Sequence, residues 1–191
     1  SIYGSTSFWD AFILRVAGIE PSIKLNNVII GVDKLGHFFS QGFDYFDSGY
    51  VLGDGRVAQV LPALEYGQEQ EVGWYGLRTT GVYSNADLAA NFSGMNFWRD
   101  LRYGTNPIVE CLNGIYKKRR SFNWADYVNH SWDEAINCSR FTKEVKTTVQ
   151  EKLKRLKIEC PIQGAGAWEC SKLVELNCSS YFVADICFIF S

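Results

Sequence analysis

The chain has 191 residues, a net charge of -2 and a pI near 5.7. Hydrophobic residues make up 47% of it and aromatic residues 15%, which is enough to build the core of one folded domain. The slightly acidic balance argues against a general nucleic-acid surface, so no nucleic-acid partner is expected.

Apolar residues recur at helical spacing along most of the chain, and this pattern predicts a mainly α-helical, compact soluble domain. The clearest stripe runs through the segment RFTKEVKTTVQEKLKRLKIEC, where apolar side chains recur every three or four residues at Phe141, Val145, Val149, Leu153 and Leu156. The predicted helices span residues 5–16, 33–50, 55–73, 84–103 and 140–160, with a shorter one within 165–178.

Two positions mark helix boundaries in this series. Ser84 can cap the helix that follows it, with Asp87 at the third helical position. Pro62 indicates a kink or a break inside the third predicted helix. Strand signals are weak, and residues 104–123 are predicted to be loop-rich. A single domain is expected over 1–191, with a motif-bearing helical core (33–103) and a C-terminal helical extension (104–191).

The chain contains six cysteines, five of which follow residue 137, and none of them forms a Cys-x-x-Cys pair. An even number crowded at one end predicts a disulfide framework, and therefore an oxidising compartment. At least two disulfides are expected, mostly within residues 111–187, so that they staple a loop-rich C-terminal part.

The longest apolar run is YFVADICFIF near the C-terminus, and Asp185 interrupts it. A run of this length is too short to cross a bilayer, so no membrane span is expected.

Three predicted helices each carry a pair of polar residues four positions apart, which places both members of a pair on one helical face. Small residues, Gly36, Gly42 and Gly94 among them, lie near the pairs and would let the helices approach closely. Three such faces would gather carboxylates in one cleft, which raises their pKa values or recruits a cation. The pairs are Asp33 with His37, Glu65 with Glu69, and Asp87 with Asn91.

Each pair also has a purely structural interpretation. Asp33 is a good N-cap, and His37 could be a core histidine with satisfied hydrogen bonds. Asp87 fits a capping role behind Ser84. The two glutamates could lie on a solvated helix surface.

Three segments of the chain form a longer motif: DKLGHF (33–38), EYGQEQEVG (65–73) and SNADLAANFSG (84–94). Together they resemble the motif of the VanZ-like and YfiM-like families of bacterial envelope proteins. The pattern of those families is Asp-Lys-x-x-His, then a glutamate segment, then Ser-x-x-Asp-x-x-x-Asn-x-x-Gly. It maps onto Asp33, Lys34, His37, one of Glu65, Glu69 or Glu71, and then Ser84, Asp87, Asn91 and Gly94.

The resemblance implies a bacterial envelope origin, a periplasmic or secreted location, and one site built from these residues. It does not cover residues 104–191. Expected partners are a cell-envelope component or a small polar ligand.

Three functions stay open at this point. The first is a periplasmic hydrolase of an envelope component, in which a carboxyl group of raised pKa acts as general acid or base beside His37. A divalent cation held by the same oxygen and imidazole ligands is left open, since it could activate water. The predicted catalytic residues are His37, Glu65, Glu69 and Asp87, and the predicted binding residues are Asp33, Ser84, Asn91, Trp74 and Tyr83.

The second function is a non-catalytic binding module, in which aromatic side chains stack against an envelope ligand. The third is a structural network that locks three helices together.

Repulsion between Asp87 and neighbouring carboxylates in an empty site would predict that Asp87→Asn leaves stability unchanged or raises it.

Overall fold

The computed structural model describes residues 22–49, 60–73, 76–103, 106–134, 137 and 139–157. Helices and short antiparallel strands are interspersed along these residues. In chain order they are β1 (Ser22–Leu25), β2 (Val28–Gly31), α1 (Asp33–Gly36), a π-helical turn (His37–Gln41), α2 (Gly42–Gly49), α3 (Val60–Val72), β3 (Val82–Tyr83), α4 (Asn85–Arg102), β4 (Val109–Leu112), β5 (Ile115–Lys118), two 3₁₀ turns (Trp124–Asp126 and His130–Trp132), β6 (Arg140–Phe141) and α5 (Lys143–Leu156).

The prediction of a mainly α-helical fold is wrong, because the described residues also form three two-stranded antiparallel sheets, β1–β2, β3–β6 and β4–β5. Two of these sheets are tight hairpins with two-residue turns. Asn26 and Asn27 have φ values of 47° and 63°, and Asn113 and Gly114 have 53° and 78°. Asn-Asn and Asn-Gly adopt these left-handed conformations at low cost, which matches the twist of paired strands.

Four of the predicted helices fall largely within the described ranges, and the described part of each contains helical structure. The segment predicted over 33–50 is divided into α1, the π-helical turn and α2. Pro62 does not break α3, because it lies in the first turn of that helix, where a missing N–H removes no helical hydrogen bond. The helices predicted over 5–16 and 165–178 lie outside the described residues.

Glycine allows α2 and α4 to pack at very short distance. A Cβ atom added at Gly42 would lie 2.5 Å from the Cα atom of Gly94, and one added at Gly94 would collide with the carbonyl oxygen of Phe38. Because side chains are absent at the crossing, polar residues one turn away on both helices come within hydrogen-bond distance. The small residues of the motif therefore fix the spacing of the site.

A core of aromatic and aliphatic side chains packs against the residues around the crossing of α2 and α4. Trp132 is fully buried and its indole Nε1 donates to Ser93 Oγ at 3.1 Å, which joins the second 3₁₀ turn to α4. This contact carries the segment after residue 132 towards α1. The main cluster comprises Val28, Ile30, Phe38, Ala89, Ala90, Tyr127, Val128 and Trp132.

The amphipathic stripe of α5 packs as its spacing predicts. Val145, Val149 and Leu153 are buried and cluster with Val82 of β3. β3 directly precedes α4, and β6 directly precedes α5. The pairing of β3 with β6 therefore brings the start of α5 close to the residues that precede α4.

The predicted disulfide-stapled C-terminal part finds no support within the described residues, where no disulfide is present. Cys111 on β4 is an exposed free thiol, and it is the one cysteine within the described ranges. The other cysteines, at 138, 160, 170, 178 and 187, lie outside those ranges. The short β4–β5 hairpin, rather than a disulfide, organises the segment that was predicted to be loop-rich.

Across the described part of the chain, no helix has both the length and the apolar character needed to cross a membrane.

Candidate functional site

Lys34 is fully buried and lies among three carboxylates. Its Nζ is 2.7 Å from Asp33 Oδ2 and 2.8 Å from Glu134 Oε1, and it also contacts Asp87 Oδ1. Burial lowers the pKa of this ammonium, but the three negative charges outweigh that effect and raise its pKa well above the ordinary value. Lys34 is therefore a permanent positive charge that ties α1, α4 and the 134 region together.

The ring of His37 is held between a carboxylate and two amides. Its Nε2 lies 3.2 Å from Asp87 Oδ2, and its Nδ1 lies 2.9 Å from Gln41 Oε1 and 3.0 Å from Asn91 Oδ1. The amide of Asn91 also donates to Gln41 Oε1 at 3.0 Å and to Tyr45 OH at 3.3 Å, which fixes its orientation. Both ring nitrogens thus face acceptor oxygens, which suits a doubly protonated imidazolium.

Electrostatics agree with this protonation state. Burial lowers the pKa of His37, but the charge of Asp87 and its hydrogen bond dominate and raise that pKa to about 9. Asp87 shows the opposite effect. Burial raises its pKa, whereas the neighbouring His37 and Lys34 cations bring it well below the ordinary value.

The π-helical turn places His37 and Gln41 side by side. A π turn carries one extra residue relative to an α-helix, and such turns are frequent at functional sites because they re-aim side chains. Here the turn aims an imidazole and an amide at the same point on α4.

Ser84 connects the remaining carboxylates. Its hydroxyl accepts from the backbone N–H of Asp87 at 3.1 Å, as an N-cap should, and donates to Glu134 Oε1 at 2.9 Å. Its own backbone N–H donates to Glu71 Oε2 at 3.1 Å. Glu71 is buried, and its second oxygen has no hydrogen-bond partner within the described residues. Burial, reinforced by Asp87, raises the pKa of Glu71 to about 8, so this group is a neutral acid at neutral pH.

An open pocket of about 290 Å³ lies beside this network. Asp33 and His37 form its charged side, and both keep part of their side chains exposed, 20% and 13% respectively. Burial raises the pKa of Asp33, with Lys34 opposing the effect. The pocket is lined by Asp33, Gly36, His37, Ser40, Gln41, Asp44, Tyr66 and Gln70.

The structure brings most of the sequence-predicted site residues together. Asp33, His37, Asp87 and Asn91 are linked by direct contacts or through Lys34, and Ser84 joins them as both cap and donor.

Three predicted site residues have other surroundings. Glu65 and Glu69 are exposed on α3, and Glu71 supplies the buried carboxylate of that helix instead. Tyr83 is buried under the guanidinium of Arg140, 5.0 Å from its ring centroid, and does not line the pocket. Trp74 lies outside the described residues.

The catalytic and binding residues predicted from the sequence did not include Lys34, Gln41 or Glu134. Two of them carried a usable signal. Gln41 continues the spacing of four that links Asp33 to His37, and Lys34 is the second position of the Asp-Lys-x-x-His pattern. The pairing of Glu134 with Lys34 carried none, because one hundred residues separate the two.

Asp33, His37 and Asp87 could in principle ligate a metal, since one ligand atom from each lies within 4.8 Å of the others. Their donor set does not favour one. The ammonium of Lys34 already contacts both carboxylates, and both ring nitrogens of His37 face hydrogen-bond acceptors. A divalent cation would have to displace Lys34 and a ring proton, so the cluster is better suited to its internal cations.

No family model, curated protein or solved structure matches this chain. The likeness to VanZ-like and YfiM-like proteins therefore remains a prediction from the motif residues.

The unusual state of Glu71 gives a first testable consequence. Between the ordinary pKa of 4.5 and about 8, the folded protein keeps a proton on Glu71 that the unfolded chain has released. This difference makes stability fall as pH rises through that interval. Glu71→Gln keeps the shape and an acceptor for Ser84 N–H but holds no such proton.

At about pH 5 we expect Glu71→Gln to have the same free energy of unfolding as the wild type. At about pH 8 we expect its free energy of unfolding to be higher than that of the wild type by at least about 1 kcal/mol. Urea unfolding at the two pH values measures this difference. Glu69→Gln, on the exposed side of the same helix, is the control and should change little at either pH. A Glu71→Gln variant that is less stable at both values would contradict a protonated Glu71.

Proposed function

We propose that this chain is a bacterial periplasmic hydrolase that acts on a cell-envelope component in the pocket beside α1. The observation that carries the proposal is the placement of Asp33 and His37, which line one open pocket with polar atoms within 4.8 Å of each other. A carboxylate of raised pKa next to an imidazolium provides both a proton acceptor and a proton donor.

The proton transfers follow from these charge states. Asp33 takes a proton from water as that water attacks the scissile bond. His37 gives its proton to the leaving atom, and the two groups then exchange protons with solvent to restore the site. Asp87 touches His37 rather than the pocket, so its role is to position the ring and to favour its charged form.

The rest of the pocket indicates the chemistry of the substrate. Ser40, Gln41 and Gln70 offer hydroxyl and amide groups, Tyr66 offers a half-exposed ring, and Asp44 adds a negative charge. These groups suit a polar ligand rich in hydroxyls or amides and carrying no strong negative charge, such as a glycan or a peptide of the envelope. The resemblance of the motif residues supports the envelope as its source.

A non-catalytic binding module is the second candidate, and one observation favours it. Both ring nitrogens of His37 already have protein partners at 2.9–3.2 Å, so the ring can serve as a fixed charge without ever releasing a proton. The same pocket would then recognise an envelope ligand without cleaving it.

Soluble peptidoglycan fragments, both glycan and peptide, are suitable probes for deciding between these functions. For a hydrolase we expect mass spectrometry to detect cleavage products with the wild type. Asp33→Asn and His37→Gln should each slow cleavage by about 10²-fold or more, since general acid–base groups contribute about 10²–10⁴-fold. Asp47→Asn, an exposed carboxylate on α2, is the matched control and should keep full activity.

Fragments that bind without being cleaved, with binding weakened by Asp33→Asn but not by Asp47→Asn, would identify the binding module instead. Failure of every fragment to bind or react would contradict an envelope ligand.

A further inference from the structure

The β4–β5 hairpin, far along the chain from the pocket motif, has an apolar tip on a basic stem. Leu112, Ile115 and Tyr116 are 45%, 62% and 64% exposed, which is unusual for three large apolar side chains that adjoin one turn. Every residue of β5 is exposed, so neither face of this strand packs against the rest of the protein.

The base of the hairpin is firmly attached. Ile108 is buried, its N–H donates to the carbonyl of Asp100 at 2.8 Å, and its carbonyl accepts from Arg119 N–H at 2.8 Å. Arg120 folds back onto Asp126 at 3.2 Å. The tip is equally well defined, because Asn113 and Gly114 close it with a tight turn. The hairpin is thus a fixed projection from the protein surface.

Charge on the stem complements an anionic partner. Lys117 and Lys118 are exposed directly after the apolar tip, whereas Arg119 pairs with Glu110 at 3.4 Å. Strand geometry places Lys117 two residues, or about 7 Å, from Ile115 along the hairpin axis. Apolar groups of interfacial segments reach about 5–10 Å into the headgroup region. The apolar tip would therefore reach the acyl chains while the ammonium group of the stem contacts the phosphates.

We propose that the β4–β5 hairpin docks this protein on the surface of an anionic lipid bilayer. Leu112, Ile115 and Tyr116 enter the boundary between headgroups and acyl chains, while Lys117 and Lys118 contact lipid phosphates. This docking is independent of the hydrolase proposal, because none of these residues lines the pocket.

Co-sedimentation of the full chain with vesicles tests the docking. Vesicles made of equal parts phosphatidylglycerol and phosphatidylcholine should bind the wild type, and vesicles of phosphatidylcholine alone should bind it far more weakly. The double variant Ile115→Ser/Tyr116→Ser should reduce partitioning by about tenfold or more, from the loss of apolar burial. Lys117→Ser/Lys118→Ser should reduce it by about 30-fold, and added salt should weaken binding of the wild type.

The chain offers a matched control for each change. Ile29→Ser removes an apolar side chain that is 60% exposed on another hairpin, and Lys143→Ser/Lys154→Ser removes two exposed ammonium groups of α5. Both controls should bind like the wild type, and circular dichroism should show that all variants are folded.

Absence of binding to anionic vesicles would overturn the proposal, as would equal losses in the hairpin and control variants. Binding of a soluble polyanion such as polyglutamate that needs the two lysines but not the apolar tip, without vesicle binding, would assign the hairpin to an acidic macromolecule and equally overturn it.

Discussion

Replacing Lys34 with methionine will reduce the free energy of unfolding by about 3–5 kcal/mol at neutral pH, the usual cost of removing one partner from a buried charge cluster. Lys34 is fully buried, and its ammonium contacts Asp33, Asp87 and Glu134. Methionine fills a similar volume, so the loss measures charge rather than a cavity. All three carboxylates would lose their ammonium partner, and only Asp87 would keep a cation, His37, beside it.

The pH dependence of this loss follows from the same contacts. Lys34 keeps the pKa of Asp87 well below its ordinary value, so that contribution is present above the ordinary carboxyl pKa and disappears as pH falls through the lowered one. The share of the stability difference that rests on Asp87 should therefore narrow only as pH falls below the ordinary carboxyl pKa. The share that rests on Asp33, whose pKa is raised, should narrow at higher pH. Urea unfolding from neutral to acidic pH measures it.

Lys24→Met is the matched control, since Lys24 is exposed on β1, and its effect should stay within about 0.5 kcal/mol. A Lys34→Met variant as stable as the wild type would mean that desolvation of the cluster cancels its internal attractions.

The sequence predicted the site better than the fold, and the reason is local. Spacing of four on a helix links Asp33 to His37, and Asp87 to Asn91, with no information from the rest of the chain. Gly42 and Gly94 indicated close helix packing, and the structure shows it. The same reasoning could not choose among the three glutamates of α3. The apolar residues of that helix are spread over more than one of its faces, so tertiary contacts decide which face is buried.

The hairpins were missed for a different physical reason. Their strands are four residues long, too short for a two-residue alternation to stand out, and the informative residues were those of the turns. Asn26-Asn27 and Asn113-Gly114 adopt positive φ readily, and this property was the signal available. The pairing of Glu134 with Lys34 could not be predicted, since two residues one hundred positions apart meet only in the folded chain.

Asp87→Asn should cost about 3 kcal/mol at neutral pH, because it removes the anion between two buried cations. Asp87 contacts the ammonium of Lys34 and lies 3.2 Å from His37 Nε2. This pairing reverses the expectation, drawn from the sequence, that a repelling Asp87 could be replaced without loss. Ser84 still caps α4 in this variant, because it accepts from the backbone N–H of residue 87, so the cost reports on charge rather than on the helix terminus.

The pH window of this cost is set by both partners. Asp87 has a lowered pKa, so its share is present above the ordinary carboxyl value and lost in strong acid. His37 has a pKa raised from 6.5 to about 9, so its share is complete below 6.5 and lost as pH rises through 9. The deficit of Asp87→Asn should therefore be largest in mildly acidic solution and should shrink in alkali. Asp47→Asn, on the exposed surface of α2, is the control and should show no such profile.

Asp87 holds His37 as an imidazolium at the edge of the pocket, and titration of the histidine ring protons by NMR tests this charge state most directly. The chain has two histidines, so a His130→Gln variant assigns both signals. We expect His37 to titrate with a pKa of about 9 in the wild type. In Asp87→Asn that pKa should fall below 6.5, since burial then dominates. A pKa of 6.5 or lower in the wild type, unchanged by Asp87→Asn, would contradict the account.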